Sequence, residues 1–220
     1  MPRSSPRPSG LRGRFRRPGA VVALLGPDGA GKSTVVEGLR EVCERTVTVL
    51  YLGRRRGGGE PVSEASPAPR AESASPAPSA LRECGFLLVR ALGHLRLLAR
   101  GYAAARSGDI VLCDRHPIEV LAVRPRRTPT AERLERLIAR RLMPKPDLLI
   151  LLDAPAETMV ERKREHPLEL IEERRRAYLE TFAPWGAELV STVGPAERSV
   201  ERAAALVGEA LRVRGATGSA

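Results

Sequence analysis

An α/β fold, with a five-stranded parallel sheet covered by helices on both faces, is what the sequence predicts, and two observations carry the prediction. Five short apolar runs alternate with segments of helical periodicity, the pattern of strands joined by crossover helices. The first run is joined to the first helical segment by a glycine-rich turn, Gly26 to Thr34. At 220 residues the chain fits one such domain, with little room for a second core.

Val21 to Leu25 is too short for a helix and closes on Gly26-Pro27, so it reads as a buried central strand. Ser33 to Arg45 places Val35, Val36, Leu39 and Val42 on one helical face. Thr46 to Leu52 is β-branched and apolar, a second strand ending at Gly53. From Gly57 to Ala80 the composition turns to Gly, Pro, Ser, Ala and Glu with two SPAP repeats, and the segment reads as a disordered insertion. Leu81 onward is a long helix ending near Gly101 or Gly108, its apolar stripe wide enough to read as mostly core. Ile110 to Cys113 is a third strand, Thr130 to Met143 a basic helix stopped by Pro144, and Asp147 to Leu152 a fourth strand. Helices follow at Ala156 to Arg164 and Leu168 to Phe182, then a weaker strand at Glu188 to Val193 and a last helix from Ala196 to Val213. The domain is thus expected over 20–213, between a basic leader at 1–19 and a flexible tail at 214–220.

The formal net charge of +11 raises the question of nucleic acid, but its distribution points elsewhere. Arg3, Arg7, Arg12, Arg14, Arg16 and Arg17 crowd a Pro, Ser and Gly-rich leader that contains no acid and cannot build a core. With no aromatic platform beside it, the leader reads as a solvated tail before it reads as a nucleic-acid arm. Its prolines argue against an amphipathic transit helix. No run approaches the roughly 18 apolar residues of a membrane span. Cys43, Cys84 and Cys113 form no CxxC pair, which suits a reducing compartment; a cytoplasmic protein is expected.

Gly26-Pro27-Asp28-Gly29-Ala30-Gly31-Lys32-Ser33 fits GxxxxGK[ST] in full and lies between the expected strand and the expected helix, which makes a P-loop NTPase fold the specific expectation. In such a loop, backbone N–H groups turn inward around phosphates, helped by the positive end of the following helix. Lys32 is expected to reach the β and γ phosphates of ATP, and Ser33 to place its hydroxyl on Mg²⁺, with Thr34 following. Asp28 is out of character there, since a carboxylate repels a nucleotide. It should point away, toward a second substrate or a cation, or cap its own turn.

Asp114-Arg115-His116 ends a strand on the sheet edge where the phosphate loop opens. Arg115 offers a forked donor for an acceptor phosphate, and Asp114 a ligand for magnesium-bound water; a structural salt bridge is the alternative for both. Arg162, Lys163 and Arg164 form a basic helix end placed to close over a transferring phosphoryl group. Arg174, Arg175 and Arg176 read as surface, paired with Glu172, Glu173 and Glu180.

GPDGAGKST, CDRH, and LLDAPAETMVERKRE followed by RRRAYLE together resemble the thymidylate kinase family of P-loop nucleoside monophosphate kinases, over about residues 20 to 212. The resemblance implies five parallel strands, ATP and Mg²⁺, Asp28 near the acceptor sugar, Arg115 on the acceptor phosphate, and Arg162 or Arg164 acting on the transferred group. It also implies phosphorylation of dTMP to dTDP. The chain departs from the family where Gly53-Arg54-Arg55-Arg56-Gly57 replaces Arg-Glu-Pro-Gly, leaving Arg54 or Arg55 as a loose phosphate contact. Phe86 and Arg90 are the nearest matches to the thymine-reading residues, and both also fit core or surface. These departures keep open a kinase for another acceptor, such as a nucleoside or sugar-like metabolite. A regulatory switch is disfavoured, because Pro144-Lys145-Pro146-Asp147 lacks the Asn of a guanine-reading motif. The stripe from Leu87 to Leu98 suits a helix-packed dimer as well as ordinary core burial.

Overall fold

The computed structural model of the protein describes residues 18–53, 79–123 and 127–217. Most of the leader and of the segment read as an insertion, Arg54 with Arg55, and the last three residues therefore lie outside the described residues, while Ser79 and Ala80, read as the end of the insertion, instead cap and open the helix that follows. Five strands, β1 (Ala20–Leu25), β2 (Val47–Tyr51), β3 (Ile110–Asp114), β4 (Leu148–Asp153) and β5 (Glu188–Ser191), form one sheet in the order β2-β3-β1-β4-β5. Every neighbouring pair is parallel.

Six α-helices among the described residues cover it: α1 (Lys32–Val42), α2 (Ala80–Arg106), α3 (Pro129–Arg141), α4 (Ala156–Arg162), α5 (Leu168–Phe182) and α6 (Ala196–Thr217). β1 explains the two-sided arrangement, because period 2 sends its side chains alternately to each face. Val21, Ala23 and Leu25 join a core with α2, α3 and the Tyr178–Phe182 end of α5. Ala20, Val22 and Leu24 join another with α1, α4 and α6. A strand buried on both faces has no solvent side, hence the unbroken apolar run at its sequence.

Two expectations need correction. α2 is not mostly core: its buried residues are Leu87, Ala91, Leu98, Gly101 and Ala105, whereas Val89 is 73% and Phe86 57% exposed. The reason is length. A helix of 27 residues runs about 40 Å, more than twice the roughly 17 Å of a five-residue strand, so the sheet and α3 cover only one of its faces. The last helix also continues past Val213 to Thr217, so the first residues of the expected tail are helical. No helix among the described residues is long and apolar enough to cross a membrane.

The parallel order puts every strand's carboxyl end on one edge, with β1 in the middle. Leu24 pairs with Asp114 and Leu25 with Leu151, so the loop after β1 emerges between the ends of β3 and β4. That crevice is where open parallel sheets bind ligands.

Candidate active site

The loop after β1 owes its shape to its glycines. Gly26, Gly29 and Gly31 have φ of 144°, 82° and 85°, a region costly for side chains bearing a Cβ. Space excludes a Cβ as well: at Gly26 it would lie 2.7 Å from the carbonyl oxygen of Leu152, and at Gly29 2.3 Å from that of Met159. The loop is thus pressed between the end of β4 and the last turn of α4. Gly29→Ala is expected to cost about 1–3 kcal/mol through backbone strain, lowering Tm by roughly 5 °C and weakening ATP binding. Thermal melts with and without ATP would check it; unchanged values in both would remove the packing argument.

Lys32 opens α1 and curls back, its Nζ donating to the carbonyl oxygens of Gly26 (2.5 Å) and Pro27 (2.9 Å). Desolvation, then the nearby Arg115 charge, hold its pKa below the usual lysine value, against the opposing pull of Glu119, Asp28 and Asp114. The ammonium is thus held inside the cradle by two carbonyls that an anion can replace as partners. Ser33 and Thr34, at the start of the same helix, are exposed.

Asp28 is turned toward cations on the neighbouring elements. It is 5% exposed and accepts from Arg115 Nη2 at 2.6 Å and Arg174 Nη1 at 3.1 Å. Lys163 Nζ stands at 3.9 Å and His166 Nε2 at 3.7 Å. Burial alone would raise the Asp28 carboxyl, but Arg115, Lys32 and Lys163 outweigh it and hold the pKa below its usual value. The side chain therefore ties together the phosphate loop, the end of β3, the segment after α4, and α5.

Arg115 occupies φ 64°, alone among the described non-glycine residues in having positive φ. Such a conformation costs about 1–3 kcal/mol and persists where the surroundings fix it; here the Asp28 contact does so. Its Nη1 also lies 3.8 Å from Oε2 of Glu119, four residues on, within a 3-10 helix at Pro117–Leu121. His116 caps that helix, its Nδ1 accepting from the N–H of Ile118 at 3.3 Å. Glu119 is 8% exposed and accepts from Tyr178 Oη at 3.1 Å. Desolvation lifts its carboxyl to about 7 in spite of Lys32, Arg115 and the Tyr178 hydrogen bond, with Asp114 pushing the same way as burial.

Arg162 is anchored at the other end of the loop, donating to Thr192 Oγ1 at 3.2 Å and the Thr192 carbonyl at 2.6 Å, with the Gly29 carbonyl at 3.5 Å. Lys163 turns to extended backbone and Arg164 is exposed. Phe86 lies exposed on α2. Arg90 lines a cleft between α2 and α3 together with Leu87, His94, Pro117 and Glu135, and its guanidinium is held by Glu135 at 2.7 Å. Arg127 holds the same carboxylate at 2.7 Å.

The surface reading of the three arginines on α5 is corrected for two of them. Arg174 reaches Asp28, and Arg175 makes a two-pronged pair with Asp153 at 2.6 and 2.8 Å. Only Arg176 has the expected neighbour, Glu172 at 4.0 Å. Successive helical residues point about 100° apart, so a run of three spreads over about 200° and meets different surroundings. Glu119, Tyr178, His166 and Thr192 also join the site without having been singled out; the short sequence separation of Arg115 and Glu119 was the available signal.

Magnesium, which the loop pattern implies, takes oxygen donors. Asp114 Oδ1 is buried and has no hydrogen-bond partner, and the Ser33 hydroxyl starts α1. These two fit, although the described residues hold no cluster of three His, Cys, Asp or Glu side chains able to cage a metal alone. Such a site depends on oxygens brought by a phosphate ligand.

A glycine cradle closed by a lysine, between a central parallel strand and a helix, defines a P-loop nucleotide-binding protein. A family model described as Thymidylate kinase matches residues 25–192, and the chain belongs to that family. A thymidylate kinase of Verminephrobacter eiseniae (strain EF01-2) is 33% identical over 159 residues, covering 66% of this chain and 66% of that one. One from Xanthomonas campestris pv. campestris (strain B100) is 30% identical over 146 residues, covering 66% and 61%. The chain thus spans less than two thirds of the length of these curated relatives.

Proposed function

We propose that the protein transfers the terminal phosphoryl group of ATP to a nucleoside monophosphate, with dTMP, the substrate named by its relatives, as acceptor. One observation carries this reading: the 2.6 Å contact between Asp28 of the phosphate loop and Arg115 at the end of β3, which couples the donor cradle to a second anion-binding group. A loop that only held a nucleotide would have no use for a forked cation on its acceptor side.

The chemistry is positioning and charge neutralisation. The backbone N–H groups from Gly26 to Ser33 orient the donor phosphates, and Lys32 leaves its two carbonyls to neutralise charge on the β and γ groups. Arg115 holds the acceptor phosphate, and Asp28 fixes that guanidinium while accepting from Arg174. Arg162 and Arg164, flanking Lys163, lie on the segment that closes the site and excludes water, with Arg162 already on the loop at Gly29. Ser33 and Asp114 would hold Mg²⁺, which when bound neutralises phosphate charge.

Purified protein given ATP, Mg²⁺ and a panel of nucleoside monophosphates and nucleosides should release ADP fastest with dTMP. Faster turnover with an unphosphorylated acceptor would favour the broader small-acceptor kinase, and no acceptor-dependent turnover would leave a binding role.

A further inference from the structure

Glu119 has a feature that the chemistry above does not use. Four buried side-chain atoms lack hydrogen-bond partners among the described residues, Asp114 Oδ1, His116 Nε2, Glu119 Oε1 and His166 Nε2, and all sit at the carboxyl edge of the sheet or in the segment facing it. Asp114 Oδ1 is absorbed by the magnesium reading, and His166 stands against Asp28. Glu119, like His116, is half satisfied, and its carboxylate stands beside Arg115. Tyr178, 2% exposed, fixes Oε2 by donating to it at 3.1 Å, and Arg115 approaches the same oxygen at 3.8 Å, while Oε1 is left bare. An ionised carboxylate offers about four acceptor positions, and buried oxygens in folded proteins nearly always find a donor. Burial lifts the carboxyl to about 7.

Its place indicates what would supply one. Glu119 follows Arg115 by four residues, and Pro117 between them lines the cleft between α2 and α3. An acceptor whose phosphate lies on Arg115 is brought beside Glu119, whose Oε2 stands 3.8 Å from that guanidinium. We propose that Glu119 is a specificity-determining residue whose Oε1 accepts a hydrogen bond from a neutral O–H or N–H group on the nucleoside part of the acceptor. This rests on the nucleoside monophosphate reading above. A sugar hydroxyl and a ring N–H supply the same chemistry, and acceptor analogues separate them.

The test is steady-state kinetics of wild type, Glu119→Gln and Glu119→Ala with dTMP, with its 3′-deoxy analogue and with its N3-methyl analogue. Glu119→Gln keeps the shape and the Tyr178 hydrogen bond but turns an N–H toward the acceptor's donor. Both variants are expected to raise KM for dTMP at least tenfold and leave KM for ATP within twofold, the latter showing an intact phosphate loop. With the analogue that lacks the donor, variants and wild type should become alike; loss of the difference with the 3′-deoxy compound assigns the hydroxyl, with the N3-methyl compound the ring N–H. An unchanged KM for dTMP, or an equal effect on all three acceptors, overturns the assignment and leaves Glu119 as a structural partner of Tyr178. If wild type phosphorylates no nucleoside monophosphate, the functional reading itself fails and takes this assignment with it.

Discussion

Lys32→Ala is expected to cut phosphoryl transfer by about 10²–10³-fold, the usual loss on removing one preorganised group that stabilises transition-state charge. The fold should survive the change, because the energetics of Lys32 in the free protein are unfavourable to its charge. Its ammonium is desolvated, near Arg115, and satisfied by two backbone carbonyls, with a pKa held below normal. Linkage gives the sign: a lysine whose folded pKa is depressed costs stability at any pH below it, where the unfolded chain binds the proton more readily. Tm at neutral pH should therefore hold or rise while turnover falls, a split between function and stability common at sites built for charge. Turnover within tenfold of wild type would show that another group neutralises the donor phosphates. A large fall in Tm would show that Lys32 ties the loop shut, so that lost activity could no longer be ascribed to missing charge.

The sheet was legible in the sequence because each central strand is buried on both faces and so leaves an apolar run that no helix explains; β1 and β4 are the clearest cases. The phosphate loop was legible for a different reason. Gly26, Gly29 and Gly31 are dictated by local backbone geometry, and local constraints write themselves into adjacent residues. The acceptor side is assembled from α5, the segment after α4 and the end of β3, brought to Asp28 only by the fold. Arg174 lies 146 positions from the carboxylate it serves, and nothing within its own helix distinguishes it from Arg176, which faces solvent. The exposed face of α2 was misread because an apolar stripe records that a helix meets something apolar, without recording how far the covering surface extends.

Replacing Arg115 tests that non-local assembly. The guanidinium holds a buried carboxylate and, in the proposed reaction, the acceptor phosphate, so Arg115→Ala should lower kcat/KM for dTMP by about 10²–10³-fold, the range for a group that positions and neutralises charge. Thymidine, lacking the phosphate, should show little change, and that contrast separates lost recognition from a distorted site. Stability should fall by less than the roughly 3–5 kcal/mol of a broken buried ion pair, since Arg174 remains 3.1 Å from Asp28, with Lys163 and His166 near it. The backbone supplies a second comparison. At φ 64° an alanine keeps the left-handed strain without the Asp28 contact that holds it, whereas glycine takes that conformation freely. Arg115→Gly should therefore be more stable than Arg115→Ala by about 1 kcal/mol, read in urea melts, while being equally poor with dTMP. Equal stability of the two variants would mean that the turn relaxes once the side chain is gone. Unchanged kcat/KM for dTMP in both would mean that the acceptor phosphate is held elsewhere, and that Arg115 serves only to neutralise Asp28.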